Sequence, residues 1–94
     1  MEICHNLIVT YNRKKDYDSA LTYANTLIDF APDNPHNYLE RAIFEVKTGK
    51  KEKALDDIEK MASLDPSFKE LVVSDPVFDI LKNEERYKEI LNDN

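Results

Sequence analysis

Apolar residues along this chain recur at the spacing of one helical face rather than of a strand. The pattern is cleanest between Asn34 and Pro66. There Tyr38, Leu39, Ala42, Ile43 and Val46 fall at helical spacing, and so do Ala54, Leu55, Ile58, Met61 and Ala62. In an α-helix such positions form one stripe that must find a partner surface. The spacing predicts two amphipathic helices folded back on each other at Thr48-Gly49. Gly49 stands where the first must stop, because glycine enters the left-handed conformation at no steric cost. Asp65-Pro66 closes the second, since the residue before proline is pushed out of helical geometry.

A shift of 34 residues toward the N-terminus meets the same pattern again. Ala20-Leu21 falls on Ala54-Leu55, Pro32 on Pro66, Cys4 on Tyr38, Ile8 on Ala42, Leu27 on Met61 and Phe30 on Leu64. A period of this size fixes an architecture before any local motif does. One helix is expected from about Glu2 to Lys14, burying Ile3, Cys4, Leu7, Ile8 and Tyr11. A second runs from Asp16 or Tyr17 to Phe30, burying Tyr17, Ala20, Leu21, Ala24, Leu27 and Ile28. Ala20 and Ala24 are small and share a face, so two backbones can approach there. Residues 31–35 are the break, with Asn34 as N-cap and Pro35 as first helical residue. The third helix ends near Lys47 or Thr48, and the fourth spans Lys51 to Leu64. Lys15 occupies the place of Gly49, where a left-handed backbone costs a lysine roughly 1 kcal/mol.

Residues 67–94 break the period. Phe68, Leu71 and Val72 predict a short helix stopped by Ser74-Asp75-Pro76. Val77, Phe78, Ile80 and Leu81 predict a helical turn, and Glu84–Asn92 a last helix burying Tyr87, Ile90 and Leu91. Two hairpins cannot bury their outer face alone, so this segment reads as a terminal cap. The expected organisation is one all-α domain: residues 1–34, residues 35–68, and a cap over residues 69–94.

Composition narrows the class. At 34% charged and 41% hydrophobic residues, the chain has enough apolar material to fold. One glycine and four prolines are too few punctuators for a many-stranded β protein. The net charge of −6 disfavours nonspecific binding to nucleic acid or an anionic membrane. Arg13-Lys14-Lys15 is followed by Asp16 and Asp18, and Lys50, Lys51 and Lys53 by Asp56, Asp57 and Glu59. Both runs read as solvated, mixed-charge surface. The single cysteine, Cys4, rules out an intramolecular disulfide and favours a reducing compartment, with the cytoplasm as default. The N-terminal apolar run is broken by His5-Asn6 before it reaches signal length.

Candidate chemistry is sparse. Cys4, His5 and His36 are the only thiol or imidazole ligands, and no CxxC, HxxxH or HExxH spacing occurs. Cys4 lies on the apolar stripe, and His5 points about 100° away from it. An enzyme or metal protein built on these three is the least favoured class. No glycine-rich phosphate loop is possible. Asp56-Asp57 and Glu84-Glu85 are helix neighbours whose side chains diverge, so both pairs are expected to be solvated. No catalytic residue, cofactor site or metal site is assigned.

The residues resemble the tetratricopeptide repeat (TPR) family. At the places of its pattern of aromatic, leucine and small residue, tyrosine, alanine, bulky residue and proline, the first unit offers Cys4, Leu7, Ile8, Tyr11, Ala20, Ala24 and Pro32. The second unit offers Tyr38, Arg41, Ala42, Glu45, Ala54, Ile58 and Pro66. KKDYDSAL at 14–21 and TGKKEKAL at 48–55 resemble the family's turn, and SLDPSF at 63–68 its exit. Departures are Cys4 and Ile8 in place of the aromatic and the small residue. Arg41 and Glu45 replace two packing residues, and an on-helix ion pair between them at a half-exposed seam is expected. The segment after residue 67 looks like the tail that follows the last repeat in small bacterial members.

The resemblance implies a right-handed α-α superhelix of two TPR helical hairpins plus a short helical cap. It implies a noncovalent adaptor or scaffold without catalysis, taking a peptide or partner helix in a concave groove. Carried over by register, the groove residues are Glu2, His5, Val9, Asn12 and Arg13, then His36, Leu39, Ile43, Val46 and Lys47. The chaperone-binding members clamp a terminal carboxylate with Lys, Asn and Arg; here the matching places hold His5, Val9 and Glu40, so that clamp is not expected. What remains is an apolar strip, Val9–Leu39–Ile43–Val46, edged by His5, Asn12, Arg13 and Lys47. An exposed apolar strip points to a partner. The alternatives are that the chain's own tail covers it, or that a second copy does, giving a homodimer.

Overall fold

The computed structural model describes residues 2–92, with side chains from residue 6 onward. The expectations for Glu2, Ile3, Cys4 and His5 as side chains therefore lie outside the described residues. Among those described, the regular elements are all helical: α1 (Glu2–Arg13), α2 (Tyr17–Phe30), α3 (Pro35–Lys47) and α4 (Lys51–Leu64). A 3-10 turn, Pro66–Phe68, then leads into α5 (Lys69–Ser74). A 3-10 helix, Pro76–Leu81, precedes α6 (Glu85–Asn92).

The boundaries follow from short-range chemistry. Asp16 caps α2, its carboxylate accepting from the Ser19 N–H at 3.2 Å and the Ser19 hydroxyl at 2.8 Å. Asn34 caps α3 by accepting from the His36 N–H at 3.0 Å, with Pro35 at the first helical position. Asp65 and Asp75 repeat that device before Pro66 and Pro76, accepting from Ser67 and Val77 N–H groups at 3.0 Å.

The two hairpin turns have the same backbone. Lys15 N–H donates to the Asn12 carbonyl at 3.0 Å and Asp16 N–H to the Tyr11 carbonyl at 2.9 Å. Gly49 N–H donates to the Val46 carbonyl at 3.1 Å and Lys50 N–H to the Glu45 carbonyl at 2.7 Å. Each is a Schellman closure with a left-handed residue at its apex. That residue is Gly49 at φ 79° in one turn and Lys15 at φ 61° in the other. The left-handed lysine expected from the register is present.

Helices α1 and α2 pack as one hairpin, α3 and α4 as the next, and α2 lies against α3 between them. Ala20 and Ala54 are both fully buried. Ile8, Ala20, Leu21, Ala24, Leu27 and Phe44 form one buried cluster, with Tyr11 stacked on Tyr23 at its edge. A second cluster fills the α3–α4 hairpin around Leu55, Ile58 and Met61. Val72, Phe78, Leu81, Tyr87 and Ile90 from the C-terminal segment belong to it. The segment therefore closes the second hairpin's open face. Its 3-10 helix Pro76–Leu81 lies on α3, and α6 lies on α4.

Two residues of α3 stitch the hairpins together. Asn37 is buried and its side-chain amide donates to the Leu27 and Ala31 carbonyls, at 3.2 and 3.3 Å. The Tyr38 hydroxyl donates to the Pro32 carbonyl at 2.7 Å. Thus the first turn of α3 gives the Leu27 and Ala31 carbonyls a second donor, beside the Ala31 and Asn34 N–H groups they already accept from.

Candidate functional site

Two regions combine accessible surface with placed polar groups. The first is the face of α1 and α3 toward which the repeat register points. Lys47, in the last turn of α3, donates to the Asn12 side-chain carbonyl of α1 at 3.0 Å. Its ammonium lies 4.9 Å from the centre of the Tyr17 ring and 5.6 Å from that of Phe44. Cation–π attraction and the hydrogen bond hold an otherwise mobile side chain in one place. Arg13 is exposed beside this bridge in sequence, and Val9 is half-buried one turn earlier on α1.

The apolar strip is less open than the sequence predicts. Leu39 is buried at 9% exposure and belongs to the same core cluster as Phe78 and Leu81. Ile43 and Val46 are half-buried and pack against that cluster. The reason is the C-terminal segment, whose 3-10 helix lies on α3. The chain's own tail thus takes up part of the strip, leaving Val9, Asn12, Arg13 and Lys47 at the surface with the edges of Ile43 and Val46. His36 is exposed, and His5 lies outside the described side chains.

The second region is a cleft of about 510 Å³ between α2, α3 and α4. Arg41 crosses its floor. Its Nε and Nη2 donate to the two Asp57 oxygens at 2.8 and 2.6 Å, and its Nη1 donates to the Asn25 side-chain carbonyl at 3.1 Å. The bidentate hydrogen bonds that Arg41 donates to Asp57 raise its pKa above the ordinary value. Glu45, four residues along α3, has Oε2 3.8 Å from the Arg41 Nε. Its Oε1 is buried without a hydrogen-bond partner. Burial, and then the neighbouring Asp57, push the Glu45 carboxyl up to about 8.

This corrects two expectations. Asp57 is not solvated surface: at 3% exposure it is the main partner of Arg41, while Asp56 next to it is exposed. Successive residues on a helix point about 100° apart, so one carboxylate of the pair meets α3 and the other does not. The expected on-helix pair of Arg41 with Glu45 is present at 3.8 Å, but its seam is buried on the Glu45 side, and the shorter contacts of Arg41 go to Asp57 of α4. Asp56 pairs instead with Arg86 of α6, which also reaches Glu52 at 3.4 Å and Glu59 at 3.7 Å. Sequence reasoning missed Phe44, Asn37 and Asp57. The signal available for Asp57 was Arg41, a cation placed where the repeat pattern asks for a packing residue.

Among the described residues, no group of three or more His, Cys, Asp or Glu side chains is placed to hold a metal ion. No helix among them is long and apolar enough to cross a membrane. No curated protein and no solved structure matches the chain. A family model described as "Tetratricopeptide repeat" matches residues 7–83, extending past the two hairpins through the 3-10 helix that lies on α3. With helical hairpins closed by equivalent turns and that match spanning most of its length, the chain belongs to the tetratricopeptide repeat family.

Proposed function

We propose that the protein is a non-enzymatic interaction module that holds a peptide or a partner helix against the faces of α1 and α3. The family suggests protein–protein interaction in general, and its repeats are typically non-catalytic. The binding residues in this reading are His5, Val9, Asn12, Arg13, Ile43, Val46 and Lys47, with Leu39 supporting them from below. The observation that carries it is the Asn12–Lys47 bridge, which fixes a cation at the junction of the two hairpins. A preplaced charge beside half-buried apolar side chains binds with less ordering cost than a free lysine does. With Arg13 on the same helix as Asn12, the face suits a segment that places a carboxylate among apolar side chains. An adaptor or scaffold role in a reducing cytoplasm fits the single cysteine.

A displayed peptide library selected on the purified protein tests this, with affinities of the selected peptides read by fluorescence anisotropy. Arg13→Glu and Lys47→Glu are expected to weaken binding by about tenfold or more, as lost charge pairing reversed to repulsion requires. Lys60→Glu, on an exposed position of α4, leaves it unchanged. Equal affinity in all three variants would remove the α1–α3 face as the site. Sedimentation of the free protein reads the alternative: a stable dimer dissolved by Lys47→Glu would assign the same face to a second copy.

A further inference from the structure

Arg41 has one positive charge and two buried carboxyl neighbours. Asp57 takes both of its parallel N–H donors, and Asn25 takes a third nitrogen. Glu45 receives only the longer approach at 3.8 Å, and its second oxygen has no donor. Both carboxyls are shielded from water, at 5% exposure for Glu45 and 3% for Asp57. If both ionise, two negative charges share one guanidinium in a place where solvation cannot compensate. A proton held by Glu45 removes that conflict.

We propose that Arg41, Glu45 and Asp57 form a proton-operated latch at the junction of α2, α3 and α4, closed while Glu45 is neutral and loosened when it ionises. The charged groups around it come from every packed element. Arg41 is on its own helix; Asp57 and Lys53 face it from α4, with Lys50 and Asp56 along the same cleft; Asp18 lines the cleft from α2, beside the neutral Asn25. Arg41 and Lys53 favour the ionised form, but burial and Asp57 outweigh them and push the carboxyl up to about 8. The latch therefore works near neutral pH, where an ordinary carboxyl is fully ionised. Helix α3 packs on both α2 and α4, so loosening Arg41's hold on Asp57 and Asn25 removes one polar tie to each of them.

Two measurements on the intact chain test the latch. The ¹³C shift of the Glu45 side-chain carboxyl, followed by NMR, is expected to titrate near pH 8. Amide exchange, corrected for its intrinsic pH dependence, is expected to show α3 and α4 losing protection as pH rises toward that midpoint, by at most about tenfold per unit, and levelling off above it. Glu45→Gln keeps the shape but cannot ionise, and holds its protection constant over the same range. A Glu45 midpoint in the ordinary carboxylate range overturns the proposal. So does unchanged protection between about pH 5 and pH 8, or the same loss in Glu45→Gln. The native titration stands even if the variant fails to fold.

Discussion

Replacing Lys15 with glycine isolates one term of this fold. The two hairpin turns share their hydrogen bonds and their left-handed apex, and differ in the residue that occupies it. At φ 61° the lysine Cβ crowds the following carbonyl, at a cost of roughly 1–2 kcal/mol. Glycine removes that cost. It also makes the unfolded chain more flexible, which takes back about 0.4–1 kcal/mol. The net for Lys15→Gly is a stabilisation between about zero and about 1.5 kcal/mol. For a domain of this size that is a rise in Tm of up to about 10 °C.

The mirror experiment is Gly49→Ala. A Cβ built at Gly49 meets no atom within 4 Å, so no clash is added and the cost is conformational only. A loss of about 1 kcal/mol is expected. Urea titrations followed by circular dichroism measure both, with equal slopes showing that the unfolded states are comparable. If Lys15→Gly lowers the midpoint clearly while Gly49→Ala also lowers it, left-handed strain is not what distinguishes the turns. The lysine side chain would then be contributing something the backbone equivalence hides.

The other predictions concern the hairpin junction and are read by the same titrations. Asp57→Ala leaves a partly buried guanidinium short of its main partner and should cost about 2 kcal/mol. Asp56→Ala, one residue away but exposed, should cost less than about 1 kcal/mol. Phe44→Ala empties a site at 3% exposure between the hairpins and should cost about 3 kcal/mol. Glu45 gives stability a pH dependence of defined sign. Its folded value of about 8 lies above the ordinary 4.5, so the folded chain holds a proton that the unfolded chain releases. That contribution is complete below about pH 4.5 and is lost as pH rises through about 8, by at most about 1.4 kcal/mol per unit. The difference between native protein and Glu45→Gln should show this slope; a flat difference would refute it.

Much of the architecture was legible because its cause is repeated. Ala20 and Ala54, the prolines after α2 and α4, and the left-handed apices at Lys15 and Gly49 keep one register, and each answers a local backbone requirement. Helix α3 was legible only on one side. It is packed by α2, by α4 and by the 3-10 helix Pro76–Leu81, so its buried set takes in Asn37, Phe44 and Glu45 as well as Tyr38, Leu39 and Ala42. A periodicity analysis finds one stripe and cannot see a helix enclosed on several sides. The same limit applied to the candidate site. The register put Asn12 and Lys47 on one face but did not pair them, and the covering of Leu39 depends on where an aperiodic segment lands.

Arg41 and Glu45 show what the departures from the repeat pattern accomplish. They stand where the repeat places apolar packing residues between successive helices, and that exchange brings charge into the junction. A buried ion pair adds little net stability over an apolar contact of equal volume, because desolvation offsets the attraction. Its consequence is directional instead. Asp57 must meet the guanidinium in one orientation, and Asn25 of α2 is drawn to the same group. An apolar seam tolerates sliding and small rotations; a bidentate bridge with a third bond to the next hairpin does not. Arg41 thereby ties α3 to both α2 and α4 through oriented polar contacts. The polar junction and the proposed binding face thus share helix α3, with Arg41 and Glu45 interleaved among Ile43, Val46 and Lys47.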